Sequence, residues 1–249
     1  MKLKIGHGDF YISKQKDLEL NMASYFRDDL EGAAEEFKRC TEVHKATPLQ
    51  HELLCRLVVK VNAAVLEQGK VQTESESGVQ SDRAADLLQQ VLDACRGTHG
   101  GPSTHVTLAV VLAEQGMIKQ LRHFLMGPQG KLNKTLLFAR LKRLVDENKL
   151  EAIKNFVEAG KGTMDVAPIY MLMLQLYSRR GDCSGALSLW TSMQDLSVTP
   201  SSEFLTTLAE LLRSHKLEVP FVVTPAEEWP EQPRPETMKN SPQISSPST

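Results

Sequence analysis

The feature that most constrains this chain is a recurrence of packing residues. Ala152, Ile153 and Phe156 return 34 residues later as Ala186, Leu187 and Trp190, and Ala33, Ala34 and Phe37 in "LEGAAEEF" show the same small, apolar, two-spacer, aromatic order. On a helix the small residue admits a close neighbour, and the large residue three or four positions on fills the groove above it. A helical hairpin of this size cannot bury both of its apolar faces alone, so a chain built this way stacks hairpin on hairpin.

The surrounding pattern agrees. Helical periodicity occupies residues 10–40, 49–66, 82–95, 104–126, 134–159, 168–196 and 202–214, and no stretch shows strand alternation. The longer blocks divide at polar or glycine hinges, "FRDDLEG", "AEQGMI", "VDENKLEA" and "SRRGDCSGA", and each reads as a hairpin. Aromatics make up only 6% of residues, and Leu, Ala and Glu dominate, a balance that favours helix over sheet. The expected fold is all-α, a solenoid over residues 1–218 with a polar loop inserted at residues 67–82, where "EQGKVQTESESGVQSD" breaks the pattern. "GTHGGP" at 97–102 reads as a linker between helices. Residues 219–249 hold seven of the twelve prolines and read as an extended or disordered tail, with Pro220, Phe221 and the two valines placed to fold back over the last helix.

A net charge of −2 excludes a generally polycationic surface, so any nucleic-acid binding must come from a local patch. One exists. From Lys119 to Lys154 nine Lys or Arg face three acids, whereas Val71 to Cys95 carries one Arg against five acids. Within the basic segment Lys131, Lys134, Arg140, Lys142 and Arg143 lie in or just before one helix and form a candidate phosphate surface.

The four cysteines form no CxxC pair and no dense framework, which points to free thiols in a reducing compartment. Cys40, His44, His51 and Cys55 spell C-x3-H-x6-H-x3-C and offer zinc four donors, but incidental Cys and His are common in helical hairpins and no metal is assigned. "AGKGTMD" lacks the upstream glycine and the strand of a phosphate loop. The Ser-Pro pairs at 241 and 246 lie in the tail and carry no assignment. A stacked-helix scaffold gives no reason to expect a catalytic set, a cofactor or a small-molecule substrate, so the chain does not read as an enzyme. No apolar run approaches the ~20 residues of a membrane span. The N-terminus has neither the apolar core of a signal peptide nor the Arg-rich, acid-poor character of a transit peptide. If the chain works inside an organelle, the expectation is a fragment or a missing start.

Pro168 to Ser201 resembles the pentatricopeptide repeat, a helix-turn-helix of roughly 35 residues. Tyr170 stands near the start of the first helix, Gly181 at the hinge, Ala186, Leu187, Trp190 and Met193 in the second helix, and Pro200 at the exit. The repeat from Thr135 matches with Asn148 at its hinge, and the one from Ser103 with Gly116. The resemblance implies a right-handed superhelix that binds single-stranded RNA along its concave face. For animal mitochondrial members it implies residence in the mitochondrion, protection, polyadenylation and translation of messenger RNA, and a small RNA-recognition-motif protein as partner; nuclear or cytoplasmic residence stays open.

The family's base-reading position falls here on Val106, Phe138, Met171 and Thr206, and a second one, after the exit proline, on Ser201. Of these only Thr206 and Ser201 offer the polar group that reading a base edge requires; Phe138 and Met171 can only stack or pack. The family's phosphate-contacting lysine position holds Glu114, Asp146, Arg179 and Ser214, of which Arg179 alone is basic. Two functions remain open: an RNA-binding solenoid, or a solenoid that docks a protein partner through its grooves or through its tail at Phe221 and Trp229.

Overall fold

The computed structural model describes residues 29–68, 77–128 and 131–221. Among these every regular element is an α-helix. In chain order they are α1 (Leu30–His44), α2 (Gln50–Gln68), α3 (Ser77–His99), α4 (Gly101–Glu114), α5 (Ile118–Met126), α6 (Lys134–Asp146), α7 (Leu150–Gly160), α8 (Ala167–Arg180), α9 (Cys183–Asp195) and α10 (Ser202–Ser214).

A single backbone device repeats through the C-terminal two-thirds. Gly116, Asn148, Gly181 and Lys216 adopt positive φ of 67°, 59°, 64° and 58° just beyond α4, α6, α8 and α10. In each case the next N–H turns back onto the helix: Met117 to Leu112, Lys149 to Leu144, Asp182 to Tyr177 and Leu217 to Leu212, at 2.9 to 3.0 Å. This is the Schellman ending, which satisfies carbonyls that the helix leaves free and reverses the chain. Helix α5, α7 or α9 follows and packs against its own first helix. The first helices also pack on one another, α2 on α4, α4 on α6, α6 on α8 and α8 on α10, so hairpins stack into a helical-repeat solenoid. At the N-terminal end α1, α2 and α3 pack together, and α2 and α3 carry the stack to α4. One core runs through every layer, from Ala33, Ala34 and Phe37 through Leu141, Ile153 and Phe156 to Phe204 and Leu212.

Several boundaries differ from the sequence expectation. Helix α2 runs to Gln68 and α3 starts at Ser77, so both ends of the expected loop at 67–82 are helical, and its centre lies outside the described residues. The expected linker at 97–102 contracts to Gly100, whose φ of 80° joins α3 directly to α4. Pro102 is accommodated because it sits in the first turn of α4, where its missing N–H has no intrahelical acceptor to lose.

The packing register also shifts by one. Counted from the hinges, Phe156 stands with Leu189, both eight residues on, and Trp190 stands with Val157. Phe156 is fully buried, whereas Trp190 is half-buried. Phe221 covers Trp190 at a ring-centroid distance of 5.3 Å, and Val219 and Phe221 pack against the core, as the fold-back of the tail required. Trp229 and the rest of the tail lie outside the described residues.

Candidate nucleic-acid interface

The hinges fix the register of the first helices independently of side-chain matching. Val106, Phe138, Met171 and Thr206 each stand ten residues before a left-handed hinge residue. They are therefore structurally equivalent, as the repeat resemblance requires. Their exposure differs. Val106 is buried, Phe138 and Met171 are half-buried against the core, and only Thr206 is exposed. Ser201 is the N-cap of α10, where its Oγ accepts the Phe204 N–H at 3.1 Å. That bond satisfies a free amide of the first turn and gives Ser201 a structural task.

At three of the four hinges the position two residues before ties one repeat to the next; at the fourth, Ser214 bonds the Leu211 carbonyl of its own helix. Glu114 accepts Lys149 Nζ at 3.1 Å across the α4–α7 junction. Arg179 Nη1 reaches Asp146 at 3.1 Å. Beside it Arg180 donates from Nε to the Asn148 side chain at 2.8 Å and from Nη2 to the Asn148 carbonyl at 3.0 Å. Arg179, the basic residue at the family's phosphate position, is thus neutralised by a carboxylate of the preceding repeat.

The basic segment divides between faces of α6. Asn133 caps this helix, its side chain accepting the Leu136 N–H at 3.0 Å, and Leu137, Leu141, Leu144 and Val145 bury its inner face. Arg140, Arg143 and Glu147 share one outer face. They line a groove of about 210 Å³ whose opposite walls include His51 of α2 and Thr107 and Val110 of α4. Lys142 shares a different face with Asp146, the partner of Arg179 on α8. Lys131 and Lys134 are exposed at the start of α6. Arg143 bonds Glu147 at 2.8 Å, while Lys131, Lys134, Arg140 and Lys142 engage no ion pair among the described residues. The spread from Lys134 to Arg143 is roughly 13 Å along the helix at its normal rise.

Charge at the mouth of this groove is coupled. The Lys149 hydrogen bond and then that of Arg143 hold Glu147 below its ordinary value. Burial opposes ionisation of Glu114, but His51 and Lys149 outweigh it and depress its carboxyl. Hydrogen bonds to Cys55 and to Glu114 push His51 up to about 10.

The sequence placed His51 and Cys55 in a set with Cys40 and His44. Instead His51, Cys55 and Glu114 come together, with donor atoms within 4.8 Å of one another. Cys40 is buried and directs its thiol to Glu36 at 3.6 Å. Nothing in the sequence signals Glu114 as the third member, because it comes from the far end of another helix. No described helix is long and apolar enough to cross a membrane.

Comparison with known proteins places relatives beside this geometry. Over 199 residues, 79% of this chain, the leucine-rich PPR motif-containing protein, mitochondrial, of Rattus norvegicus is 27% identical. The protein of the same name from Mus musculus is 27% identical and that from Xenopus tropicalis 26% identical over the same length. The matched region covers 13% of each relative. No family model matches the chain, and no solved structure matches it. The relatives carry the pentatricopeptide motif in their names, in agreement with the repeat at Pro168 to Ser201 and with the all-helical stack.

Proposed function

We propose, from this relation to pentatricopeptide-repeat proteins and from the basic face of α6, that the chain is a non-enzymatic helical-repeat protein that binds single-stranded RNA without selecting bases. The carrying observation is the position of Arg140 and Arg143 on the groove between first helices α2, α4 and α6. Phosphate attraction needs exposed cations and no particular base, and the apolar Val106, Phe138 and Met171 leave base edges unread. The relatives are named as mitochondrial proteins, which supports a mitochondrial RNA as the proposed ligand. The proposed role there, in line with the resemblance, is in messenger-RNA stability, polyadenylation and translation beside a small RNA-recognition-motif partner.

The test is a salt titration of binding to single-stranded RNA. Replacing Lys131, Lys134, Arg140, Lys142 and Arg143 by Gln is expected to weaken binding and flatten the dependence of log affinity on log salt. An unchanged slope removes this surface from the interface.

A second reading has its own observation. Three of the four equivalent base-reading positions hold packing residues, Val106, Phe138 and Met171, and the family's phosphate position is bonded internally through Arg179 and Asp146. A repeat array so modified suits docking of a protein partner. Crosslinking and sequencing of bound RNA separates the two, because a protein scaffold enriches no transcripts.

A further inference from the structure

We propose that His51, Cys55 and Glu114 form a binding site for a divalent ion of the zinc class, on the groove between α2 and α4. His51 and Cys55 lie four residues apart on α2 and so present their side chains on one face. Glu114, the last residue of α4, meets them from the neighbouring helix. The Cys55 Sγ to His51 Nε2 separation is 3.7 Å, and Glu114 Oε2 lies 2.6 Å from the same nitrogen.

These separations are close to what a tetrahedral ion needs. With zinc bonds of ~2.3 Å to sulfur, ~2.0 Å to nitrogen and ~2.1 Å to oxygen, ligand atoms stand ~3.5 Å apart for S···N and ~3.3 Å for N···O. The sulfur–nitrogen pair already has this spacing. The nitrogen–oxygen pair must open by roughly 0.7 Å, which a turn of the His51 side chain supplies, since that side chain is 47% exposed.

The carboxylate is already oriented for the task. Lys149 Nζ holds its other oxygen, Oε1, at 3.1 Å, the kind of outer contact that fixes a metal-binding carboxylate. One thiolate and one carboxylate neutralise a divalent ion; His51, which its bonds to Cys55 and Glu114 hold protonated in the metal-free chain, releases its proton as the ion binds and supplies the third bond. The fourth position faces an open groove of about 730 Å³, so it goes to water or to an external donor.

Cobalt titration of the reduced, chelator-treated full chain tests the site. One equivalent is expected to bind, with a near-ultraviolet thiolate-to-cobalt band and the visible absorption of a four-coordinate ion, and zinc is expected to displace it. Cys55→Ser should abolish the thiolate band, and Glu114→Gln should weaken affinity by about tenfold or more while the band persists. Lys149→Gln, which leaves all three donors in place, should weaken affinity and keep the band. His44→Gln should change nothing, because His44 stands outside the cluster. Helical circular dichroism of each variant confirms that it is folded. The proposal is overturned by substoichiometric binding, by a band that survives Cys55→Ser, by affinity unchanged in Glu114→Gln or Lys149→Gln, or by loss of binding in His44→Gln.

Discussion

Gly181 and Lys216 close equivalent first helices with nearly the same left-handed backbone, φ 64° and 58°, yet substitution should act on them in opposite directions. At Gly181 an added Cβ would sit 3.1 Å from His215 Nε2 as well as carry the left-handed penalty. Gly181→Ala is therefore expected to destabilise by about 1–2 kcal/mol, read as a lower thermal midpoint. Lys216 is exposed and already bears that penalty. Lys216→Gly should raise stability by about 0.5–1 kcal/mol, with the strain removed partly offset by the greater freedom of glycine in the unfolded chain. Equal signs for the two variants would mean that the hinges do not share one ending. The cysteines give a second residue-scale test. Burial pushes the Cys95 thiol up to about 12 and also raises Cys40, and Cys183 is buried. Alkylation of the metal-free native chain near neutral pH should modify Cys55 alone, with the other three labelled only after unfolding; mass spectrometry of the labelled peptides decides.

At the scale of elements, the sequence announces helices more clearly than it announces their neighbours. The small-aromatic pairs mark which residues pack, because helical spacing puts them on one face. They misplace the register by one, since Phe156 and Trp190 are alike in chemistry but not in distance from their hinges. The hinge residue is the better ruler, because left-handed backbone occurs at one defined point. The ends of α3 were illegible for a different reason: "SGVQSD" is polar and turn-like, yet it continues into a helix stabilised by packing on α1, α2 and α4. Contacts between elements remote in sequence carry no local signal at all. Asn155 of α7 donates through Nδ2 to the Ala113 carbonyl at 2.9 Å, near the end of α4. Asn155→Ala should cost about 1 kcal/mol, measured by denaturant unfolding, since the carbonyl loses a side-chain partner in a partly buried place. A neutral result would show that the Schellman turn at Gly116 satisfies that end of α4 without help from α7.

For the whole molecule, the repeat and its all-helical class were legible because a stacked hairpin must satisfy the same local rules at each recurrence. The candidate interface was legible only as a count of charges. The sequence groups five cations in and before α6, whereas the fold puts Arg140 and Arg143 on the groove and Lys142 on the face shared with Asp146, toward Arg179. This division makes the RNA reading sharper than a charge count allows. A single-stranded contact contributes a slope of about 0.7 in log affinity against log salt. Arg140→Gln should therefore reduce the slope by about 0.7, and Lys142→Gln should leave it nearly unchanged. Asp146→Asn supplies the complementary case: it releases Arg179 from its carboxylate and, if RNA passes along the first helices, should steepen the slope rather than flatten it. Equal losses from Arg140→Gln and Lys142→Gln would show that RNA responds to the diffuse charge of the segment and not to the groove. A slope unmoved by all three substitutions, with the proteins folded, would move the RNA off this face of the solenoid and leave the groove between the first helices to a protein partner.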